Sequence, residues 1–147
     1  MRAPESFVLL AESGGPHHER LRRMLAARVL FRFDSLSQYH ASLDELLTVL
    51  RAAYLQRRER WFHAEARVLA EALEAGRRAG AFEFPSALAA ARTLVVATNS
   101  LLPVSLSARE LGSREAVERE VGRVTELLLR GLLRRGAREF KVLKLLP

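Results

Sequence analysis

The stretch that most constrains the fold is residues 42–80, which contain no proline and no glycine before Gly76. Ser42 and Glu45 have the S-x-x-E spacing of a capping box, which marks the start of a helix. Gly80 follows two arginines and an alanine and fits a C-terminal cap. One continuous helix is therefore predicted over nearly the whole stretch, about 55 Å long at about 1.5 Å per residue.

This long helix carries two apolar stripes. The first stripe consists of Leu43, Leu47, Leu50, Tyr54, Trp61, Val68 and Ala72, and the second of Leu55, Phe62, Ala66, Leu69, Leu73 and Gly76. A helix on the surface of a globular protein needs only one such stripe. We therefore predict that the long helix is the central one and that other helices pack on two of its flanks.

Proline and serine residues mark three further helices. Pro16 fits the first position of one helix, and Ser86 caps another. Pro103 lies inside an apolar segment, where the missing N–H should free the carbonyl of Asn99 and kink the helix. Ser113 opens the last helix. The expected fold is all-α, a helical bundle of four main helices over residues 16–33, 42–79, 86–106 and 113–135.

These helices are expected to form one domain, because 147 residues suffice for a single core. Residues 1–15 are interpreted as an N-terminal remnant or linker, in which residues 5–12 have room for two helical turns. Residues 16–135 are the predicted domain. Residues 136–147 form a basic and apolar tail to which no structure is assigned.

Composition narrows the classes of function. The net charge is +7 and the pI about 11.1, with 22 Arg but only 2 Lys. This balance permits contact with nucleic acid, yet the arginines are scattered over helical faces, which favours a solvated surface. The chain has no cysteine, and it has no apolar run long enough to span a membrane. A cytoplasmic protein without a membrane partner is expected.

No motif for catalysis or metal binding is present. The sequence has no Walker A, G-x-G-x-x-G, H-E-x-x-H or C-x-x-C pattern. His63 and Glu65 are two residues apart on the long helix and so do not face each other. We predict that the chain is not an enzyme and that it has no catalytic residues, no metal site and no cofactor.

A cluster of large and polar side chains on the inner helices suggests a ligand site instead. Helical aromatics are more often core residues, and a buried amide such as that of Asn99 is as often satisfied within the protein as by a ligand. The pattern nevertheless matches pockets between the helices of bundles, which are apolar with a few placed polar groups. The predicted ligand-binding residues are Phe31, Tyr54, Arg58, Trp61, Phe62, Glu65 and Asn99.

The order of these features resembles the ligand-binding and dimerisation region of TetR-type (tetracycline-repressor-like) transcriptional regulators. The clearest match is LAEALEAGRRAGAFEFPSALAAARTLVVATNSLL, residues 69–102. In this segment, Gly76, Gly80 and Phe82 form the family's G-x-x-x-G-x-F pattern. The Ala-rich helix after Pro85 is also similar to the family. HERLRRMLAARVLFRF is similar to the family's first ligand-domain helix. The resemblance covers roughly residues 19–135.

The resemblance implies an effector-sensing, bacterial repressor domain that forms a homodimer through its third and fourth helices. The implied effector is a small apolar or aromatic molecule. The apolar third helix and the glycines of the fourth independently favour close pairing of two copies. The residues expected at the centre of the dimer interface are Leu94, Leu101, Gly122, Leu129 and Leu133.

The family's helix-turn-helix is missing from this sequence, so the chain resembles a regulator without its DNA reader, either a truncated piece or a shortened gene product. Sequence-specific DNA binding by this chain alone is not expected. The alternative is a helical bundle that binds no ligand and serves as an interaction or structural protein.

Overall fold

The computed structural model describes residues 5–37, 43–103 and 112–133. These residues form α1 (Glu5–Glu12), α2 (His17–Ser37), α3 (Leu43–Arg78), α4 (Ala87–Thr98), a 3-10 turn (Asn99–Leu101) and α5 (Arg114–Leu132). The five helices pack into a bundle, and within the described residues no strand forms beyond an isolated bridge between Phe82 and Leu133. The all-α prediction is confirmed, with one helix more than the four main ones expected.

The helix that packs on all the others is α2, not the long α3. α3 packs on α2 and α4, as its two stripes predict, but its side chains are buried only in the second half, from Glu65 onward. In the first half, the described side chains between Glu45 and Arg60 are exposed, apart from the half-buried Tyr54. The predicted central position therefore holds for only half of α3.

The end of α3 is built as predicted from Gly80. This residue has φ +75°, which favours glycine, and its N–H donates to the Arg77 carbonyl. The Ala81 N–H donates to the Gly76 carbonyl, and these two bonds make a Schellman motif. Phe82 then folds back over Gly76, where a Cβ would overlap the ring carbons Cδ2 and Cε2. The G-x-x-x-G-x-F pattern thus has a packing role at the end of the helix.

Both serine caps are confirmed, but the predicted kink is wrong. The Ala89 N–H donates to Ser86 Oγ, and the Ala116 N–H donates to Ser113 Oγ. α4 ends at Thr98 instead of continuing through Pro103. A residue before proline avoids the helical region, and Leu102 is accordingly extended (φ −76°, ψ 142°).

The carbonyl of Asn99 is not freed, as the kink would require. It accepts a hydrogen bond from the Leu102 N–H at 3.1 Å, which closes the 3-10 turn. The last part of the predicted third helix, residues 104–106, lies outside the described residues, as do Ser42 and the tail 136–147.

The N-terminal segment shares the core of the bundle. Phe7 of α1 is buried with residues of the other helices, so the predicted boundary after residue 15 separates no second core. α2 also runs to Ser37, beyond its predicted end at residue 33. Its exposed last turn is supported by Ser35, whose hydroxyl donates to the Phe31 carbonyl, and by an ion pair between Asp34 and Arg114. None of the helices in the described part of the chain is long and apolar enough to cross a membrane.

Candidate functional site

Four polar residues meet where α2, α3 and α4 come together; we call them the Arg28 cluster. The Arg28 side chain is 0 % exposed, and its Nε donates to Glu65 Oε2 at 2.7 Å. Arg32 Nη2 donates to the other carboxylate oxygen of Glu65 at 2.5 Å. Arg28 Nη1 donates to the hydroxyl of Thr98 at 3.0 Å, and this hydroxyl donates to the Leu94 carbonyl. One carboxylate and one hydroxyl thus hold two guanidinium groups.

Helical spacing explains how the cluster assembles. Arg28 and Arg32 are four residues apart on α2 and therefore lie on one face. Arg32 Nη1 also donates to the Arg28 carbonyl at 2.9 Å, which orients the second guanidinium group. Glu65 comes from the buried half of α3 and Thr98 from the last turn of α4. The cluster consequently joins three helices at one point.

The cluster carries unequal charge. Two guanidinium groups face one carboxylate, and the side chains of Arg28 and Glu65 are 0 % and 1 % exposed. Burial lowers the pKa of Arg28, and the attraction and hydrogen bond of Glu65 oppose that shift. Because arginine stays protonated, one positive charge of the cluster has no buried negative partner among its four members.

Two polar atoms of the site lack hydrogen-bond partners among the described residues. They are Arg28 Nη2 and the hydroxyl of Tyr54, and both are buried. Burial raises the pKa of the Tyr54 hydroxyl, and the positive charges of Arg32 and Arg28 oppose that shift. Native proteins rarely leave buried donors unpaired, so these two atoms mark a polar position without a protein partner.

A third such atom lies just beyond the cluster. Asn99 follows Thr98 and begins the 3-10 turn, and its Oδ1 is buried without a hydrogen-bond partner in the described part of the protein. Its backbone is satisfied on both sides, because its N–H donates to the Val96 carbonyl and its carbonyl accepts from Leu102. The amide side chain is therefore not needed to hold the turn together.

Aromatic rings border the polar atoms. The guanidinium carbon of Arg28 lies 5.1 Å from the ring centroid of Phe62, a cation–π distance. The rings of Tyr54 and Trp61 are 5.6 Å apart and tilted by 55°. Both are partly buried, and they lie seven residues apart, on one face of α3. The site therefore combines a buried cation with apolar, planar surfaces.

Of the predicted ligand-binding residues, Phe62 and Glu65 contact Arg28, and Tyr54 packs against Trp61. Glu65 is fully buried. The following two residues stand apart. Arg58 is exposed, although its charge acts on the Tyr54 hydroxyl, and Phe31 is 50 % exposed on the outer side of α2.

Sequence reasoning missed three members of the cluster, Arg28, Arg32 and Thr98. The two arginines share a face of α2 with its apolar spine, including Leu25 and Val29. A cation within an apolar face is the signal that could have revealed them, since buried charges require partners. Thr98 gave no comparable signal, because threonine is common in apolar helices.

The predicted dimer residues are divided between the core and the surface. Leu94 and Leu129 are buried in the subunit's own core, so they have no surface left for a second copy. Leu101 packs against a smaller buried cluster that includes Val29 and Leu102. Leu133 is partly exposed, and a Cβ at Gly122 would meet nothing within 4 Å. The apolar side chains that α4 and α5 direct outward are Leu88, Val96 and Leu127, the last two being 69 % and 73 % exposed.

Comparison of the chain with protein-family models, with curated proteins and with solved structures found no match. Within residues 5–37, 43–103 and 112–133, no group of three His, Asp or Glu side chains is placed to hold a metal ion.

Proposed function

We propose that this chain is the effector-sensing and dimerisation domain of a TetR-like transcriptional regulator. The observation that carries the proposal is the Arg28 cluster, with its unpartnered buried atoms beside aromatic side chains. The all-α bundle and the Gly76–Gly80–Phe82 end of α3 agree with the resemblance in the sequence. The effector is a small apolar or aromatic molecule.

The chemistry of the site suits such a molecule. Ligand sites are mostly apolar and contain a few polar groups that fix orientation. Here Trp61 and Phe62 supply apolar surface, Arg28 supplies a donor, and the Tyr54 hydroxyl can donate or accept. An effector that satisfies these buried atoms removes a desolvation cost that the free protein carries.

The position of the cluster provides a route for sensing. Arg28, Glu65 and Thr98 bind α2, α3 and α4 to one another, so an effector that pairs with Arg28 changes the contacts of all three helices. α4 also bears part of the proposed dimer surface. An effector with different affinities for two arrangements of α4 would shift the equilibrium between them, and in a full-length regulator this would alter the spacing of two DNA readers.

The proposed dimer surface is the outer face of α4 and α5. Leu88, Val96 and Leu127 expose large apolar side chains on these two helices. A second copy related by two-fold symmetry would cover them, burying well over about 1,000 Å² in total. The interface expected from the sequence was centred on residues that include Leu94 and Leu129. The proposed interface uses the exposed side chains of α4 and α5 instead.

Replacing Val96 or Leu127 with arginine is expected to weaken the dimer by tenfold or more, about 1.4 kcal/mol or more, because a charge would be buried in the interface. Sedimentation velocity over a micromolar concentration series measures this change. The control is Leu9→Arg, which places the same charge on an equally exposed apolar position of α1. A wild-type chain that remains monomeric throughout the series contradicts the proposed interface.

The Asn99→Leu variant tests effector binding. Because Asn99 Oδ1 has no partner in the free protein, the substitution should leave stability unchanged or raise it. It should weaken a polar aromatic effector by about 1–3 kcal/mol, since the effector's buried group would lose its hydrogen bond. Thermal melting measures the first effect, and calorimetric titration with a panel of small aromatic molecules measures the second.

The same experiment distinguishes the proposed effector domain from the alternative, a helical bundle that binds no ligand. Glu65 is already satisfied by two arginines, which fits a cluster with a purely structural role. In that case no member of the panel binds the wild-type protein. Strong destabilisation by Asn99→Leu would likewise count against the proposal, because it would make the amide a structural partner.

A further inference from the structure

The chemical class of the effector follows from the charge of the Arg28 cluster. Arg28 and Arg32 carry two positive charges and Glu65 one negative charge, with the side chain of Arg32 only 14 % exposed. The excess is one positive charge. Burial without a partner is unfavourable for any charge, so the cluster is best completed by one negative charge.

The atom that would receive this charge can be named. Of the three nitrogens of Arg28, Nε donates to Glu65 and Nη1 to Thr98, which leaves Nη2 buried and without a described partner. An unpaired guanidinium N–H is a donor from which a carboxylate oxygen accepts a charge-assisted hydrogen bond.

We propose that the site binds a small aromatic carboxylic acid, whose carboxylate accepts a hydrogen bond from Arg28 Nη2. This inference rests on the proposed function, since it names the effector class of the same site. Phe62, whose ring lies against the Arg28 guanidinium group, borders the site and favours an aromatic acid. A carboxylate matches the single excess charge, whereas a phosphate dianion would exceed it and a cation would add to it.

Entry of the acid requires movement of a side chain, because Arg28 Nη2 does not reach solvent. Of the residues in contact with Arg28 or Glu65, Arg32 and Phe62 are partly exposed.

Matched acid and amide probes test the inference. Calorimetric titrations at neutral pH compare benzoate with benzamide, cinnamate with cinnamamide, and indole-3-acetate with indole-3-acetamide. In each pair that binds, the wild-type protein is expected to prefer the acid by about tenfold or more, because a charge-assisted hydrogen bond is roughly twice as strong as a neutral one. In Arg28→Met this preference should be lost. Arg67→Met, which removes the same charge from an exposed position of α3, should retain it.

The possible outcomes are distinct. If amides bind the wild-type protein as tightly as acids, the inference is overturned while the proposed effector site stands. If no probe of either kind binds, both fail. If folded Arg28→Met still prefers the acid, Arg28 is not the residue that binds the carboxylate. Should that variant not fold, Arg28→Gln, which also removes the charge, serves in its place, and the wild-type comparison of acid with amide still decides the class.

Discussion

Glu65→Leu is expected to destabilise the protein by about 3–5 kcal/mol, a large part of the roughly 5–15 kcal/mol that typically stabilises a domain. Glu65 is the acceptor of both Arg28 and Arg32, at 2.7 and 2.5 Å. Without it, the fully buried guanidinium group of Arg28 keeps only the hydroxyl of Thr98. Removal of one partner of a buried ion pair leaves an uncompensated charge, which costs far more than the pair contributes. Urea unfolding monitored by circular dichroism measures the loss.

Two further variants show whether the loss comes from the buried charge. Glu71→Leu makes the same substitution at an exposed position of α3 and should change stability by at most about 0.5 kcal/mol. Adding Arg28→Met to Glu65→Leu should recover part of the loss, because it removes the charge that was left unpaired. Equal stabilities of Glu65→Leu and Glu71→Leu would contradict the buried network.

Gly76→Ala is expected to destabilise the protein by about 1–3 kcal/mol, although alanine is the better helix former by about 1 kcal/mol. A Cβ at this position would overlap the Phe82 ring and lie 3.2 Å from His17 Cβ. Phe82 is buried in the main core and Gly76 lies on the rigid last turns of α3, so relief requires a shift of the ring or the helix. Thermal unfolding gives the sign and size of the effect.

Gly122→Ala is the matched control for this prediction. Gly122 lies inside α5, and a Cβ there would meet nothing within 4 Å of the subunit. Its replacement should stabilise the folded subunit by about 0.5–1 kcal/mol through the lower backbone entropy of the unfolded chain. If Gly76→Ala stabilised the protein like Gly122→Ala, the close approach of Phe82 to α3 would be refuted.

The features that sequence reasoning predicted correctly are local ones. Gly80, Ser86 and Ser113 end or begin their helices through hydrogen bonds to residues at most four positions away, and such bonds depend on residue type and spacing. Pro103 was correctly identified as a disruption, but its effect on Leu102 was underestimated. The helix ends before the proline, because an extended Leu102 and a 3-10 turn avoid the clash that a kink would have to accommodate.

The missed features depend on packing between distant parts of the chain. Arg28 and Phe31 are both on α2, and the sequence analysis assigned the aromatic residue, not the arginine, to the ligand site. The structure reverses the two: Arg28 is buried on Glu65, 37 residues away, and Phe31 is half exposed. A charged residue can replace an aromatic one in a core only where another helix supplies its partner, and that information lies outside the local sequence.

The exposed first half of α3 shows the same limit. Leu55 belongs to the second apolar stripe, which continues into the buried half, yet its side chain is exposed. The apolar periodicity shows which side of a helix is apolar. It does not show how much of the length of that helix the neighbouring helices cover.

The most direct test of effector binding at this site uses the fluorescence of Trp61, since the chain contains one tryptophan. Its ring centroid lies 5.6 Å from that of Tyr54, and the residue after it, Phe62, contacts Arg28. The unlabelled protein is titrated with the aromatic acids and amides named above, with correction for their absorbance. The account predicts a saturable change in emission with one ligand per chain, at a midpoint equal to the calorimetric Kd and weakened in Asn99→Leu. Calorimetric binding that leaves Trp61 emission unchanged, or no binding by any probe to the folded protein, would contradict it.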